Sequence, residues 1–377
     1  MKHYHLSSII CLVIIVIARA LHAAPDETGN SGVCEITVSP EIFTLSSSGS
    51  YPRVAQLSDG SLLAAWDDAT SRNTKIIRAS KSLDKGRSWI DSGIVAEYPD
   101  PADLANAFPL VLDNGRILLA CRRHDGSPPQ RFRIEIYCSD DGGSSWKFLS
   151  MVESHENPEH GLWEPFLFHA PDDSLHVYYA RETGGTQAIV MRRSLDLGQT
   201  WGSLITVASA PDSRDGMPAV TRLKDESLLT VFEAFDSRPW GLFVIKSVQS
   251  FDMGISWTNR RTVYIPSGNG THAGAPYVAL LQSGHLMASF MTDEDASDVN
   301  WPFQASLKIL VTAEPATSAC VKWESRPRLI ERNIFWPALL VMKDHQILFL
   351  YGKEGVKGKI GNYAPESRGA PSSRMGK

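Results

Sequence analysis

The sequence has little of what marks several large classes of protein. Its 377 residues include only 5 cysteines, and 37 Lys and Arg against 42 Asp and Glu give a formal net charge of −5 without any block of like charge. A nucleic-acid-binding face needs clustered basic residues, so the composition argues against nucleic acid as a partner. The 11 histidines have no metal-ligand spacing, and we expect neither a metal nor a cofactor. Sustained helical periodicity is absent, which favours an all-β fold.

Long apolar runs are also missing beyond the first residues. Lys2 precedes an apolar stretch from Ser8 to Ile17, and Ala18-Arg19-Ala20 is a small-x-small cleavage pattern. The stretch is too short to span a bilayer comfortably, so we interpret residues 1–23 as a secretory signal peptide, with an uncleaved anchor as the alternative. The mature protein would be secreted and extracellular, with no membrane contact, and we expect a monomer.

Export would permit the few remaining cysteines to form disulfides. Cys121 and Cys138 fall in successive predicted strands and are predicted as one pair, which leaves Cys34 and Cys320 as the other. Buried free thiols are the alternative, because a core of this size does not need covalent links. Asn269-Gly270-Thr271 is an acceptor sequence for N-glycosylation in a secreted protein.

What the sequence does contain is one short pattern in four copies, Ser-x-Asp-x-Gly-x-Ser/Thr-Trp. We call each copy a box. The box tryptophans, Trp89, Trp146, Trp201 and Trp257, follow one another at nearly equal intervals along the chain. Such a regular period is typical of propellers and solenoids. The box aspartates, Asp84, Asp141, Asp196 and Asp252, are interpreted as turn residues that accept local backbone hydrogen bonds, because an active site is needed once and not four times.

A second pattern precedes the boxes and sets the register of the repeat. An opening proline, at Pro52, Pro109, Pro165, Pro218, Pro276 and Pro337, is followed each time by a short strand, a polar turn and an apolar strand. With one strand running into each box and one leaving it, every unit makes a four-stranded antiparallel sheet. The sequence therefore predicts a six-bladed β-propeller over residues 33–354. An N-terminal strand around Glu35–Leu45 would complete the last blade, and residues 355–377 would be a poorly ordered tail.

Two carboxylates stand out at the predicted pocket end of this propeller. Glu164 lies beside an opening proline, and Glu233 ends an apolar strand. Each is a lone acid in an apolar run, where desolvation raises the pKa. Paired carboxylates in a cleft with arginines and aromatic residues suit glycoside cleavage. The alternative is that each only pairs with a neighbouring arginine.

Further polar and aromatic residues at the same predicted end would bind an oligosaccharide or polysaccharide substrate. Sugar hydroxyl groups would be held by charged side chains, and sugar faces would stack on indole rings. The candidate substrate-binding residues are Arg53, Asp68, Arg122, Arg181, Trp163, Trp240 and Trp336.

The boxes, the six-fold pattern and Tyr51-Pro52-Arg53-Val54 resemble the sialidase superfamily, whose first blade carries a similar arginine motif. Gly161–Phe166, Arg214–Pro218 and Phe232–Asp236 are more similar to the catalytic stretches of glycoside hydrolase family 93, the secreted fungal exo-α-1,5-L-arabinanases. That resemblance implies a retaining mechanism, with Glu164 as nucleophile and Glu233 as acid/base. The alternatives are a sialidase-like hydrolase of another glycan, which needs three convergent arginines, and a non-catalytic carbohydrate-binding propeller, in which the two glutamates would not converge.

Overall fold

A computed structural model of the protein describes residues 34–99, 102–156, 160–211, 213–236 and 241–364. These residues form 25 β-strands, and within those ranges there is no helix of the length and apolarity that a membrane span requires. The predicted signal peptide at residues 1–23 lies outside the described residues, as does the chain beyond residue 364.

The strands follow one another along the chain with short turns between most of them. In order they are β1 (Ile36–Val38), β2 (Phe43–Ser46), β3 (Ser50–Gln56), β4 (Leu62–Ala69), β5 (Lys75–Ser82), β6 (Ile90–Tyr98), β7 (Asp103–Val111), β8 (Ile117–His124), β9 (Phe132–Ser139), β10 (Lys147–His155), β11 (Leu162–His169), β12 (Leu175–Thr183), β13 (Thr186–Ser194), β14 (Ile205–Ala208), β15 (Arg214–Arg222), β16 (Leu228–Asp236), β17 (Leu242–Ser250), β18 (Thr258–Tyr264), β19 (Ala273–Leu280), β20 (Leu286–Thr292), β21 (Ser306–Val311), β22 (Arg328–Glu331), β23 (Phe335–Val341), β24 (Gln346–Gly352) and β25 (Val356–Tyr363).

These strands form five hydrogen-bonded sheets, so the prediction of six separate blades does not match the hydrogen bonding. Strands β3–β6, β7–β10 and β19–β22 form three four-stranded sheets, and β23–β25 form a sheet of five strands with β1 and β2. Strands β11–β18 form one eight-stranded sheet. The eight strands count as one sheet because Gln187 of β13 pairs in parallel with Arg214 of β15.

The first strands of these units line a common centre. Strands β3, β7, β11, β15, β19 and β23 each pack against the next, and β23 packs against β3, so the arrangement closes into a ring. This is a β-propeller, in which closure leaves no long free sheet edge at the centre. The second strands behind them are almost wholly buried, as in β20. Each has a hydrogen-bonded strand on both edges, and the neighbouring sheets cover both of its faces.

The first and last strands of the described residues meet in one sheet. Strands β1 and β2 both pair with β25, which confirms the prediction that an N-terminal strand near Glu35–Leu45 completes the last unit. The predicted end of the domain at residue 354 was wrong. Val356–Tyr363 form β25, which pairs with β24 from Val356 to Asn362, and buried residues recur along this glycine- and lysine-rich segment.

The four boxes form turns with a shared hydrogen-bond pattern. In the first, Asp84 accepts hydrogen bonds from the Ser88 backbone N–H at 2.8 Å, from the Ser88 hydroxyl at 2.6 Å and from the Ser82 hydroxyl at 2.9 Å. The equivalent bonds recur at Asp141, Asp196 and Asp252. The glycine two residues after each aspartate has a φ of 85 to 91°, which glycine adopts without strain.

The predicted disulfides are not formed. None of Cys34, Cys121, Cys138 and Cys320 forms a disulfide within the described residues, and of these four Cys320 alone is exposed. Strands β8 and β9 are neighbours as predicted, but Cys121 pairs with Glu135 and Cys138 pairs with Leu118, so the two cysteines are out of register with each other. Disulfide geometry requires closer Cα atoms than that offset allows. Asn269, the predicted glycosylation site, lies exposed in a turn between β18 and β19.

Candidate active site

Each central strand carries a bulge at the same register position. The register shifts once in each, and the first bulged residue is Tyr51, Asn106, Glu164, Met217, Ala275 or Trp336. All six have left-handed backbone conformations, with φ between 48 and 60°. A bulge re-aims the side chain that it carries. The repeat therefore turns six side chains at one end of the ring out of the regular pleat.

The bulge also corrects one detail of the predicted repeat. In five strands the residue after the bulged one is the opening proline, as at Glu164-Pro165. In β7 the bulge is Asn106-Ala107, since the register shifts between Ala105 and Phe108. Pro109, predicted as the second opening proline, therefore lies too far along the strand.

A second repeated position faces the same end of the ring. The residue on the second strand that pairs with the one just before each bulge is Asp67, Arg122, Ala180, Glu233, Met291 or Gly352. The interval along the chain from the bulged residue to this partner is identical in all six units, as from Met217 to Glu233. The constant spacing arises because the hairpin between the two strands has the same length in every unit.

These repeated positions surround a cavity of about 270 Å³. Every residue that lines it is a bulged residue, the residue before a bulge, or the partner on the second strand: Ser50, Tyr51, Asp67, Asn106, Arg122, Trp163, Glu164, Met217 and Trp336. A larger opening of about 570 Å³ lies between the N-terminal strands and β25, but Glu41 is the one carboxylate among its lining residues. The smaller cavity therefore holds the concentration of titratable groups that catalysis needs.

Glu164 and Glu233 converge beside Gly216. A Cβ placed on Gly216 would lie 3.5 Å from Glu233 Oε1 and 3.7 Å from Glu164 Oε2. The two oxygens are therefore both in contact range of one point, which limits the distance between them. Both carboxyl groups also accept backbone hydrogen bonds from the bulge of the next central strand: Met217 N–H donates to Glu164 at 3.3 Å, and Ala275 N–H donates to Glu233 at 2.9 Å.

The environments of the two glutamates differ in charge. Burial, with the neighbouring charge of Glu164, raises the pKa of Glu233 to about 8. Burial also raises the pKa of Glu164, but the guanidinium groups of Arg122, Arg214 and Arg53 oppose that shift. Of the pair, Glu233 therefore has the stronger tendency to keep its proton at neutral pH, because cationic neighbours offset the burial of Glu164 while the charge of Glu164 adds to the burial of Glu233.

Glycine makes room for this arrangement at a second place. A Cβ on Gly274 would lie 2.5 Å from Glu233 Oε2 and 2.9 Å from the indole ring of Trp301. That ring contacts Phe243 and His272, with centroids 6.2 and 5.5 Å away, and the three rings form one cluster. The Glu233 carboxyl group is thus confined between an aromatic cluster and the Ala275 amide, which fixes its direction.

Three of the predicted substrate-binding residues line the cavity. The Arg122 guanidinium lies 4.5 Å from the centroid of the Trp163 ring and forms an ion pair with Asp103 at 2.7 Å. Trp163 Nε1 donates to Glu182 at 3.1 Å, which fixes the ring. Trp336 is the bulged residue of β23, with its ring centroid 6.4 Å from that of Tyr51. These contacts give the cavity one cationic wall and aromatic faces.

Arg53 is in the centre of the ring but does not line the main cavity. It is buried with its guanidinium 3.8 Å from the centroid of the Tyr51 ring, and it donates to the carbonyl of Trp336 at 3.2 Å. Arg53 therefore packs beneath the cavity and holds Tyr51 and Trp336 in place through these contacts. Trp240, another predicted substrate-binding residue, lies outside the described residues.

Asp68 and Arg181 were assigned to the wrong face. Asp68 pairs with Arg78 at 3.5 Å, and Arg181 pairs with Glu153 at 2.8 Å. Each lies one residue beyond the repeated second-strand position held by Asp67 and Ala180. Because side chains alternate along a strand, one residue of offset sends the side chain away from the cavity.

Several site residues were not assigned from the sequence. Asp67, Asn106, Tyr51 and Ser50 line the cavity, and Arg214 donates to Gln187 at 2.9 Å beside the two glutamates. The signal that identifies Asp67 is its constant spacing from the bulged residue of its unit. In the described part of the chain, no group of three or more His, Cys, Asp or Glu residues is arranged to hold a metal ion.

Solved structures with the same fold include carbohydrate-active enzymes. A Penicillium chrysogenum α-L-arabinanase complexed with arabinobiose has a TM-score of 0.65 at 20% identity, covering 86% of this chain and 96% of that chain. The family 93 α-L-arabinofuranosidase of Fusarium graminearum, also with arabinobiose, has a TM-score of 0.65 at 21% identity, covering 86% and 97%. A Streptococcus pneumoniae sialidase has a TM-score of 0.60 at 12% identity, covering 85% and 68%.

These structures confirm the predicted similarity in fold to family 93 and to the sialidases. No protein-family model and no curated protein matches the sequence. At this level of identity the similarity shows a sialidase-like β-propeller fold, and the chemistry depends on the residues of the cavity itself.

Proposed function

We propose that this protein is a secreted, retaining exo-glycoside hydrolase that acts on α-1,5-linked arabinan. The observation that carries the proposal is the convergence of Glu164 and Glu233 beside Gly216, where the arginines oppose the raised pKa of Glu164 and the charge of Glu164 adds to the raised pKa of Glu233. Two proteins of the same fold bind arabinobiose, which supports arabinan as the substrate. The exo mode of cleavage is the one that the resemblance to family 93 implies.

The proposed mechanism gives each carboxyl group one role. Glu164 attacks the anomeric carbon while Glu233 donates its proton to the leaving oxygen, and water then releases the sugar with Glu233 as the base. Retaining glycosidases place the two carboxyl groups about 5–5.5 Å apart, and inverting enzymes about 6.5–9.5 Å apart. Glu164 Oε2 and Glu233 Oε1 both lie within 3.7 Å of the Cβ position of Gly216, a geometry that is compatible with the retaining separation.

The arginine positions favour this proposal over a sialidase-like activity. That activity would need three arginines around the substrate carboxylate. Arg122 is the one arginine among the residues lining the described cavity, since Arg53 is buried under Tyr51. The convergence of the two glutamates likewise favours catalysis over carbohydrate binding alone.

We also propose that the ring has six blades. Strands β11–β14 and β15–β18 each repeat the four-stranded antiparallel pattern of the other units. One parallel residue pair joins them. Counting them as two blades with a bridging contact makes six units, each with one bulge and one second-strand position.

Secretion as a monomer is the remaining part of the proposal. It rests on the apolar N-terminal segment and its cleavage pattern. Expression of the full chain in a secreting host, followed by N-terminal sequencing and sedimentation of the product, tests it. We expect a single species that begins near residue 24; a cell-associated, uncleaved protein would contradict secretion.

The function is tested by hydrolysis of linear α-1,5-arabinan and of sialyllactose by the purified protein. We expect arabinose or arabinobiose release from arabinan with a retained first-formed anomer. Glu164→Gln and Glu233→Gln should each lose about 10³-fold or more in kcat/KM, as expected for loss of an essential carboxyl group. Glu226→Gln, in an exposed turn far from the cavity, is the matched control.

An activated aryl arabinofuranoside separates the two roles. Its leaving group needs no proton, so Glu233→Gln should still form the glycosyl-enzyme and release the phenol in a burst, whereas Glu164→Gln should not. Release of sialic acid in place of arabinose would favour the sialidase-like alternative. Release from neither substrate would favour a binding protein.

A further inference from the structure

A third carboxyl group occupies the wall of the cavity and has no role in the proposed mechanism. Asp67 is at the same repeated second-strand position in β4 that Glu233 has in β16. Its interval from Tyr51 along the chain equals that of Glu233 from Met217. The repeat therefore turns Asp67 toward the centre of the ring for the same geometric reason as Glu233, and there Asp67 lines the cavity.

The contacts of Asp67 leave acceptor capacity on both oxygens. One oxygen accepts the Asn106 backbone N–H at 3.0 Å, and the other accepts the Ala107 N–H at 3.3 Å. An ionised carboxylate has about four lone-pair sites, so each oxygen can accept a further hydrogen bond. Within the described residues, no ion pair involves Asp67.

This arrangement is unfavourable for a residue whose only role is stability. Burial raises the pKa of Asp67 to about 7, with only partial compensation from the two amides and from the charges of Arg122 and Arg53. A half-buried carboxyl group that forms no ion pair among the described residues costs free energy that a ligand bearing hydrogen-bond donors can offset. Its neighbour Asp68 shows the contrast, since it pairs with Arg78 on the opposite face.

The neighbours of Asp67 indicate the chemistry of that ligand. Arg122 supplies donors on the same wall, and Trp163 and Trp336 supply aromatic faces. A carboxylate acceptor beside a guanidinium donor, between aromatic rings, matches adjacent hydroxyl groups on a sugar ring.

We propose that Asp67 is a specificity-determining residue that accepts hydrogen bonds from hydroxyl groups of the terminal sugar in the cavity. This inference rests on the proposed function. A buried acceptor that is left unpaired rejects ligands lacking the matching donor, so Asp67 would select among sugars by their hydroxyl groups.

Direct binding tests this inference separately from catalysis. In the Glu233→Gln background, arabinobiose binding is measured by calorimetry and by the fluorescence of the cavity tryptophans. We expect Asp67→Asn to weaken binding about 10- to 100-fold, the range for loss of a charged hydrogen-bond acceptor. In the active protein it should raise KM by a similar factor and change kcat by less than about 3-fold.

Analogues identify the interaction as a hydroxyl contact. Two analogues of arabinobiose are used, one lacking the 2-hydroxyl group and one the 3-hydroxyl group of the terminal unit. Both should bind the parent more weakly than arabinobiose does. With the Asp67→Asn variant, one of the two analogues should bind as tightly as arabinobiose, because the hydroxyl group that it lacks no longer has its acceptor. Asp68→Asn is the matched control and should leave binding unchanged. Asp67→Ser keeps an acceptor for one amide and should weaken binding as well, so it replaces Asp67→Asn if that variant does not fold.

The outcomes separate this inference from the proposed function. A lower Tm without any change in affinity would overturn it, because Asp67 would then only hold the Asn106 bulge. Sugar binding that depends on Asp67 but without arabinan hydrolysis would overturn the proposed function and leave this inference standing. Arabinan hydrolysis that is insensitive to Asp67→Asn, or no binding of arabinobiose or sialyllactose by the parent, would overturn this inference.

Discussion

The two ends of each sheet use carboxyl groups in opposite ways. At the box end, hydrogen bonds from Ser88 lower the pKa of Asp84 to about 2, and the equivalent hydrogen bonds do the same at Asp141 and Asp196. At the bulge end, burial raises the pKa of Asp67 to about 7 and that of Glu233 to about 8. Strand β4 connects both environments, since Leu62 at its start pairs with Ser82 of a box and Asp67 lies near its other end.

The difference comes from where the donors originate. A box aspartate receives its hydrogen bonds from residues within its own turn, so the turn forms around a carboxylate that remains ionised. Glu233 and Asp67 receive backbone hydrogen bonds from a neighbouring unit of the ring, and these do not outweigh the loss of water. Box carboxylates therefore stabilise the fold, whereas bulge-end carboxyl groups remain costly and available for chemistry.

The largest expected effect is a loss of activity at the bulge end, caused by a side chain that fills the space beside Glu233. In Gly274→Ala the new Cβ would lie 2.5 Å from Glu233 Oε2, so the carboxyl group has to move. A displacement of about 1 Å at a catalytic group costs about 10²-fold in rate, and we expect such a loss in kcat/KM on arabinan.

The matched control is Gly202→Ala. An added Cβ there comes no nearer than 3.3 Å to another atom, the Arg193 carbonyl oxygen. We expect its activity to stay within about 2-fold of the parent. Equal activity of the two variants would mean that Glu233 needs no fixed direction, which would remove the distinction between the two ends.

An intermediate effect is expected at the box end, on stability and not on activity. Asp84→Ala removes the acceptor of three hydrogen bonds within one turn. We expect the free energy of unfolding to fall by about 1–3 kcal/mol in a denaturant titration, with kcat/KM of the folded protein unchanged.

Asp113→Ala, in an exposed hairpin turn, serves as the comparison and should change stability by less than about 0.5 kcal/mol. If Asp84→Ala lost kcat/KM while the protein stayed folded, the boxes would have a functional role.

The smallest effect concerns the pH dependence of stability. Because the pKa of Glu233 is raised to about 8 in the folded protein, the stability linked to its proton is complete below its unfolded pKa and is lost as pH rises through about 8. Glu233→Gln does not titrate. The Tm of Glu233→Gln relative to the parent should therefore be higher at pH 9 than at pH 5, by about 2 °C.

Differential scanning calorimetry at the two pH values measures that shift, and Glu226→Gln should show none. An unchanged difference in Tm would mean that Glu233 ionises in the fold as easily as in water, and the contrast with the boxes would disappear.

Much of this molecule could be predicted because its signals are local. The boxes, five of the six opening prolines and the hairpin turns recur within short windows of sequence, and they indicate strands, turns and a repeat. Glu164 could be identified from the sequence because it precedes a proline at a recurring position. The β7 register was missed since Phe108-Pro109 imitates that pattern just beyond the actual bulge.

The errors at the site share one physical origin. Asp67 and Asp68 are adjacent and chemically identical, yet one faces the cavity and the other faces Arg78. Residue type alone cannot tell which of the two faces the cavity. That depends on the register in which their strand pairs with its neighbour, because side chains alternate between the two faces of a sheet. The prediction of a Cys121–Cys138 disulfide was wrong for the same reason, because the register of the two strands places Cys121 beside Glu135.

The sequence by itself determined the strands, the box turns and the common end of the ring at which Glu164 and Glu233 lie. These follow from spacing along the chain, where backbone geometry is set by nearby residues. Only the tertiary structure decided that the two carboxyl groups meet beside Gly216, that Arg181 points away and that Asp67 joins the cavity. Those outcomes depend on register, burial and ring closure, which bring together residues far apart in the chain and set what each side chain faces.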